Sequence, residues 1–502
     1  MVIRLALLSL ALLSAAAVAV GGASAGDWVH FGGDAQVTND VPAGSSGPIG
    51  AAGAARLHTR WTTTLDGPVI ASPLYSAGAV PDARDGLVYV ATQAGSVYAL
   101  SAANGSVVWQ RSLGTTLSSC GEPQAGVDAT YGIVSAGTID EQRGVLYVIG
   151  ATGLLHALDL TTGTDAPGWP VQVVTETSGE LVWGGLTIAG NQVLVPIASY
   201  CDEPAFDGQL ADGRLVAVNA DTASFSGTFD VVPGPGNMGG IWGYGGASVD
   251  PLTGDLWAAT GNSWVYDPAC DCIREDIGYG EAVVQLDPAL NPLASNRPPD
   301  VPSLTVPDTD FGATPLLFQP PDCPPLAAVN SKNGFVYVYD RTSLATGPIW
   351  SFRAGPDDLD NPFVGEPSYS PDENALYVAD ARAYDDEGTI THFDAVESFS
   401  VGPRCTFPTD EPTWTTGEVG AGPKPPPLVV DDLAVVAGGE VPGVFVLDAG
   451  SGAVLWSQEL PGAEYAPPAF AYGQIVVADT SGTVTALGIG DPPTPRSFPP
   501  NP

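Results

Sequence analysis

Apolar and polar residues alternate along most of this chain, and one pattern of alternation recurs eight times. A run of β-branched and aromatic residues is followed by a turn rich in small residues, Gly, Asp or Asn, then by a second apolar run and often by Gly and Trp. The first copy spans Leu87–Trp109 (LVYVATQAGSVYALSAANGSVVW). Others follow at 146–163 (LYVIGATGLLHALDLTTG), at 193–222 with an insertion, and at 256–290 (LWAATGN, then EAVVQLDPAL). Four more begin at Leu326, Leu376, Leu433 and Ile475. Period-two alternation around a Gly-containing turn predicts an antiparallel strand pair in each copy.

The copies start about 40 to 70 residues apart, a spacing that suits four-stranded blades rather than a helical solenoid. A single blade cannot bury both of its faces, whereas eight arranged about an axis give each sheet two apolar neighbours. The predicted fold is therefore all-β: an eight-bladed β-propeller with four-stranded antiparallel blades. The strand Arg60–Leu65 precedes the first full copy, and the last copy (475–490) lacks a Trp-bearing strand. The N-terminal strand is thus expected to pair with 483–489 and close the ring, which also removes exposed strand edges. The boundaries read as 1–25 signal peptide, 26–55 N-terminal loop segment, 56–490 propeller and 491–502 Pro-rich tail.

Composition agrees. Among 502 residues are 62 Gly and 47 Pro, a load that disfavours long helices. Hydrophobic residues make up 44%, enough for a large core. Acids outnumber Lys plus Arg by 56 to 16, so nucleic acid and anionic membrane faces would be repelled and are poor candidates as partners. Arg4, the apolar run Leu5–Val20 and the exit Ala23-Ser24-Ala25 have the form of a secretory signal cleaved after Ala25. No later segment is apolar for long enough to span a bilayer as a helix. An exported chain with six cysteines (Cys120, Cys201, Cys270, Cys272, Cys323, Cys405) is expected to form disulfides, with Cys120–Cys201 the favoured pair. Zinc is disfavoured, because neither CxxC pairs nor neighbouring histidines occur.

The repeat G-x-V/L-x-A-L-x-x-x-x-G-x-x-x-W resembles that of the pyrroloquinoline-quinone (PQQ) family of β-propellers over roughly residues 56–490, and the arrangement looks like PQQ-dependent alcohol dehydrogenases. Four stretches carry a sharper likeness. Gly239-Gly240-Ile241-Trp242-Gly243, followed by Thr260-Gly261-Asn262, resembles a family segment that implies Trp242 as a flat floor under the cofactor ring and Asn262 as a Ca²⁺ ligand. Asp308-Thr309-Asp310-Phe311-Gly312 resembles the stretch bearing the family's catalytic base, which implies Asp310. Lys332-Asn333-Gly334-Phe335 heads a decapeptide ending in Asp340-Arg341, and the likeness implies Lys332 as the cation that binds the cofactor and polarises its carbonyl. Asp202, with Glu203 as competitor, lies where the family places an acidic metal ligand.

Each stretch has a plainer rival. Trp242 could pack between blades as Trp109 does, TGN and KNG both make ordinary turns, and Asp310 could be a solvated loop acid. The family's adjacent Cys-Cys pair and a haem-binding CxxCH are both missing, so electrons would leave through an external acceptor. PQQ carries three carboxylates, yet only Lys332 is matched among cations; Arg143 and Arg214 are unmatched candidates. Two readings follow. One is an exported monomeric quinoprotein that oxidises a small alcohol or carbohydrate with PQQ and Ca²⁺. The other is a non-catalytic propeller that binds a protein or glycan.

Overall fold

The computed structural model describes residues 26–490 apart from 79–84, 119–129, 176, 178, 200–210, 235–237, 268–269, 271, 276–277, 300–309, 356–363, 385–389, 417–418, 420–424 and 439–441. Eight four-stranded antiparallel sheets surround one axis, each running from an inner to an outer strand. Blade 1 consists of Leu74–Ser76, Leu87–Ala91, Ser96–Ser101 and Val107–Ser112. Blades 2 to 7 occupy 138–172, 187–230, 248–296, 316–353, 368–415 and 428–459. Blade 8 takes its three inner strands from 469–488 and its outer strand from His58–Thr64, which pairs with Thr483–Gly488. The ring closes as the repeat count predicts.

The recurring Gly and Trp explain how blades adhere. Trp61, Trp109 and Trp414 lie on outer strands and donate their indole N–H to a carbonyl of the following blade: Ala102 at 2.9 Å, Leu160 at 3.0 Å and Ala449 at 3.0 Å. Each ring lies on a glycine of that blade's turn, respectively Gly105, Gly163 and Gly452. A Cβ on Gly163 would stand 2.6 Å from Trp109 Cε3, and its φ of +68° already disfavours a side chain. Trp61 on Gly105 performs this docking between blade 8 and blade 1. Lower down, a buried pair, Arg341 to Asp250 at 3.1 Å, joins blades 4 and 5. Cys323 and Cys405 form a disulfide between blades 5 and 6. Cys270 is also disulfide-bonded, while Cys120 and Cys201 lie outside the described residues.

Residues 27–41, which read as loop, run around the inside of the ring and bond to seven blades in order. Trp28 exchanges two main-chain bonds with Tyr75 of blade 1, and Val29 O accepts from Ile139 N of blade 2 at 2.8 Å. His30 reaches Thr187 of blade 3 at 3.1 Å. Ala35 O, Gln36 O and Thr38 O then accept from Val249, Leu317 and Tyr369 of blades 4, 5 and 6 at 2.7, 2.9 and 3.2 Å. Asp40–Val41 finally adds a parallel strand inside blade 7. This strap buries Trp28, Phe31 and Val37 in the channel. Its bonds are mostly carbonyls meeting free N–H groups of inner strands, so no side-chain periodicity marks it in the sequence. No helix among the described residues is long and apolar enough to cross a membrane.

Candidate functional site

In an antiparallel four-stranded meander, the connections between blades and the turns between second and third strands emerge at the same end of the axis. Trp242 lies on the connection from blade 3 to blade 4, and Asp310 on that from blade 4 to blade 5. Asn262 follows the second strand of blade 4 (Leu256–Ala259), and Lys332 follows the second strand of blade 5 (Leu326–Asn330). All four therefore sit at one end, and the structure brings them together.

Glycines permit the approach. Gly261 N donates to Gly240 O at 2.6 Å and Gly239 N to Asn262 O at 2.7 Å, which zips the GG and TGN segments side by side. A Cβ on Gly261 would lie 2.7 Å from Trp242 Nε1 and 2.9 Å from Asp310 Oδ2, so the indole and the carboxylate close over this residue. Phe311, fully buried against Tyr337, anchors the next loop in the core. The KNG segment is a turn and also a platform. Asn333 Oδ1 accepts from Phe335 N at 3.0 Å, Gly334 adopts a φ of +86°, and Lys332 is left pointing back across the blade boundary.

Asp310 is fully buried, and its carboxylate is held from two sides. Oδ1 is 2.8 Å from Lys332 Nζ, and Oδ2 accepts the Asn262 N–H at 3.1 Å. Lys332 Nζ stands 6.0 Å from the centroid of the partly exposed Trp242 ring. An indole ring, a cation beside it and a buried carboxylate fixed by that cation are thus gathered at one point of this end. Below Trp242, Tyr244 stacks on Phe31 of the strap at 6.1 Å, and Trp183 leans on Tyr244 at 5.9 Å. The channel is filled under the site by these rings.

Asp202 and Glu203 lie outside the described residues. Among those described, no group of three His, Cys, Asp or Glu side chains is placed to hold a metal. The two candidate arginines are both engaged by acidic side chains. Arg214 pairs with both carboxylate oxygens of Glu180 at 2.6 and 3.0 Å. Arg143 binds Asp140, Asn191 and Asp221 at the opposite end of the ring. One residue with no sequence signal beyond its place ahead of an inner strand also belongs here. Glu366 is fully buried and accepts the Thr314 N–H at 3.0 Å and the Gly245 N–H at 3.4 Å. Burial pushes its carboxyl up to about 7.

The family profile described as outer membrane protein assembly factor BamB matches residues 44–164 and 404–491. No curated protein is matched by the sequence. Among solved structures, the chain is similar to the quinohemoprotein alcohol dehydrogenase from Comamonas testosteroni, with a TM-score of 0.69 and 16% identity over 96% of this chain and 84% of that one. A europium-containing methanol dehydrogenase gives 0.66 and 16% over 90% and 89%. BamB from Moraxella catarrhalis gives 0.51 and 16% over 86% and 98%.

Proposed function

Because the chain belongs to the PQQ-repeat β-propeller family, we propose that it is an exported, monomeric quinoprotein that oxidises a small alcohol or carbohydrate with PQQ and Ca²⁺. The observation that carries this reading is the meeting of Asp310, Lys332 and Asn262 beside Trp242. These residues fit the reactive end of PQQ: an indole for the planar ring, a cation at its level and a carboxylate within reach of both. When bound, PQQ supplies the two-electron acceptor carbonyl. Asp310 accepts the proton of the substrate hydroxyl, held ready by the Lys332 ammonium and the Asn262 N–H. Lys332 keeps positive charge where electron density gathers. Asn262, with Asp202 or Glu203, would hold Ca²⁺ through its oxygen donors. The filled channel below Trp242 excludes water from that side. Electrons leave through an external acceptor.

The second reading, a propeller that binds a protein or glycan without redox chemistry, draws on the BamB profile and on the engagement of Arg143 and Arg214 by acidic side chains of the chain itself. Adding PQQ and Ca²⁺ to purified protein separates the two. Quenching of tryptophan fluorescence, followed by dye reduction with a panel of primary and secondary alcohols, supports the first. Absence of uptake at any Ca²⁺ concentration leaves the second.

A further inference from the structure

The segments that carry Trp242, Asp310 and Lys332 meet a second time, one layer nearer the strap, at Val364-Gly365-Glu366. Gly245, three residues after Trp242, and Thr314, four after Asp310, both donate their main-chain N–H to Glu366 Oε1. The two loops are also bonded to each other there, Gly245 N to Thr314 Oγ1 at 2.9 Å. Asn330, two residues before Lys332 and fully buried, donates its side-chain N–H to Gly365 O at 2.5 Å. Gly312 approaches so closely that a Cβ would lie 2.6 Å from Val364 Cγ1.

A buried carboxyl is a costly way to fill space, and Glu366 Oε2 has no partner among the described residues. An apolar residue of the same volume would pack with less penalty but could not accept two N–H groups at once. The retained feature is the shared acceptor. We propose that Glu366 is a positioning residue: its Oε1 fixes the Trp242 loop against the Asp310 loop, and thereby sets the Lys332–Asp310 ion pair. Its catalytic meaning rests on the redox reading above, whereas its effect on the ion pair does not.

Lys332 and Lys424 are the only lysines in the chain, so the pair can be read without activity. An amine-reactive ester labels Lys332 only when the ion pair opens, and site-resolved mass spectrometry gives its rate relative to Lys424. In Glu366→Met, which keeps volume and loses the acceptor, the Lys332/Lys424 ratio is expected to rise about tenfold. In Glu366→Gln, whose amide oxygen still accepts both N–H groups, it should stay within about twofold. An unchanged ratio in Glu366→Met overturns the positioning role, as does a rise in Glu366→Gln equal to that in Glu366→Met. Should circular dichroism show Glu366→Met unfolded, Asn330→Ala cuts only the Gly365 tie. A rise then supports the role and an unchanged ratio overturns it. If wild type takes up no PQQ while the ratio still rises, the redox reading falls and the positioning role stands. If wild type turns over and the ratio is unmoved, the reverse holds.

Discussion

Lys332 and Asp310 are joined twice, side chain to side chain at 2.8 Å and main-chain N–H to main-chain carbonyl at 2.9 Å. The backbone bond fixes the turn of blade 5 on the loop that enters it, so the ion pair forms between anchored residues rather than between flexible side chains. A buried pair gains most when its geometry is set in advance, because neither charge then has to order the other.

Replacing one charge at a time separates proton transfer from cofactor binding. Asp310→Asn keeps an oxygen for the Asn262 N–H but cannot accept a proton. Dye reduction should fall by about 10² to 10⁴-fold while PQQ uptake persists. Lys332→Met should weaken both uptake and turnover, turnover by about a hundredfold or more. Equal losses of uptake in the two variants would contradict the assigned roles.

Stability should be greatest in mild acid. Glu366 is raised from 4.5 to about 7, and Glu397 and Glu464 to about 8, each mainly by burial. In unfolded chain these carboxyls ionise near 4.5, so between that pH and the folded values the native state holds more protons than the unfolded state. Their contribution is therefore present in full below pH 4.5 and is lost as pH climbs through 7 and 8. On that scale Glu366 should account for roughly 3 kcal/mol over the interval, and Glu397 and Glu464 for roughly 5 kcal/mol each. Thermal unfolding from pH 4.5 to 9 tests the slope, and Glu464→Gln should flatten it.

Gly163→Ala puts a methyl group under the Trp109 ring and is expected to destabilise by about 2 kcal/mol or more. Gly144→Ala is the control. Its φ of +66° is nearly the same as that of Gly163, yet nothing lies within 4 Å of the added Cβ. Any cost beyond that of Gly144→Ala measures the Trp–Gly docking alone. Similar losses in the two variants would show that backbone conformation, and not docking, sets the glycine.

The Cys323–Cys405 bond closes a segment of 82 residues across two blades. Cys323→Ser with Cys405→Ser should cost up to about 4 kcal/mol by the loop-entropy account. Thermal midpoints of the double variant and the wild type check this, and an unmoved midpoint would show that the Trp docking and strap already fix these blades.

Features that repeat were legible in the sequence. Eight strand pairs, the unpaired strand at Trp61 and its closure on Thr483–Gly488 follow from alternation and counting, because each blade solves the same burial problem. At the site, the Gly-Gly and Thr-Gly-Asn segments were legible through resemblance, and the structure adds why glycine stands at 261. Features that occur once were not legible. The strap bonds through carbonyls, which any residue supplies. Glu366 has no partner of opposite charge to advertise it. Asp250 and Arg341 lie 91 residues apart, and only the contact between blades 4 and 5 makes them a pair.

The strap also ties the ring to one blade number. Its contacts run from blade 1 to blade 7 in sequence, so it works as a gauge of ring size: with one blade fewer or one more, Ala35, Gln36 and Thr38 would meet the wrong inner strands. It can lie down only once those strands stand side by side. Residues 27–41 thus precede every blade along the chain, yet their full set of bonds exists only where seven inner strands already stand in order.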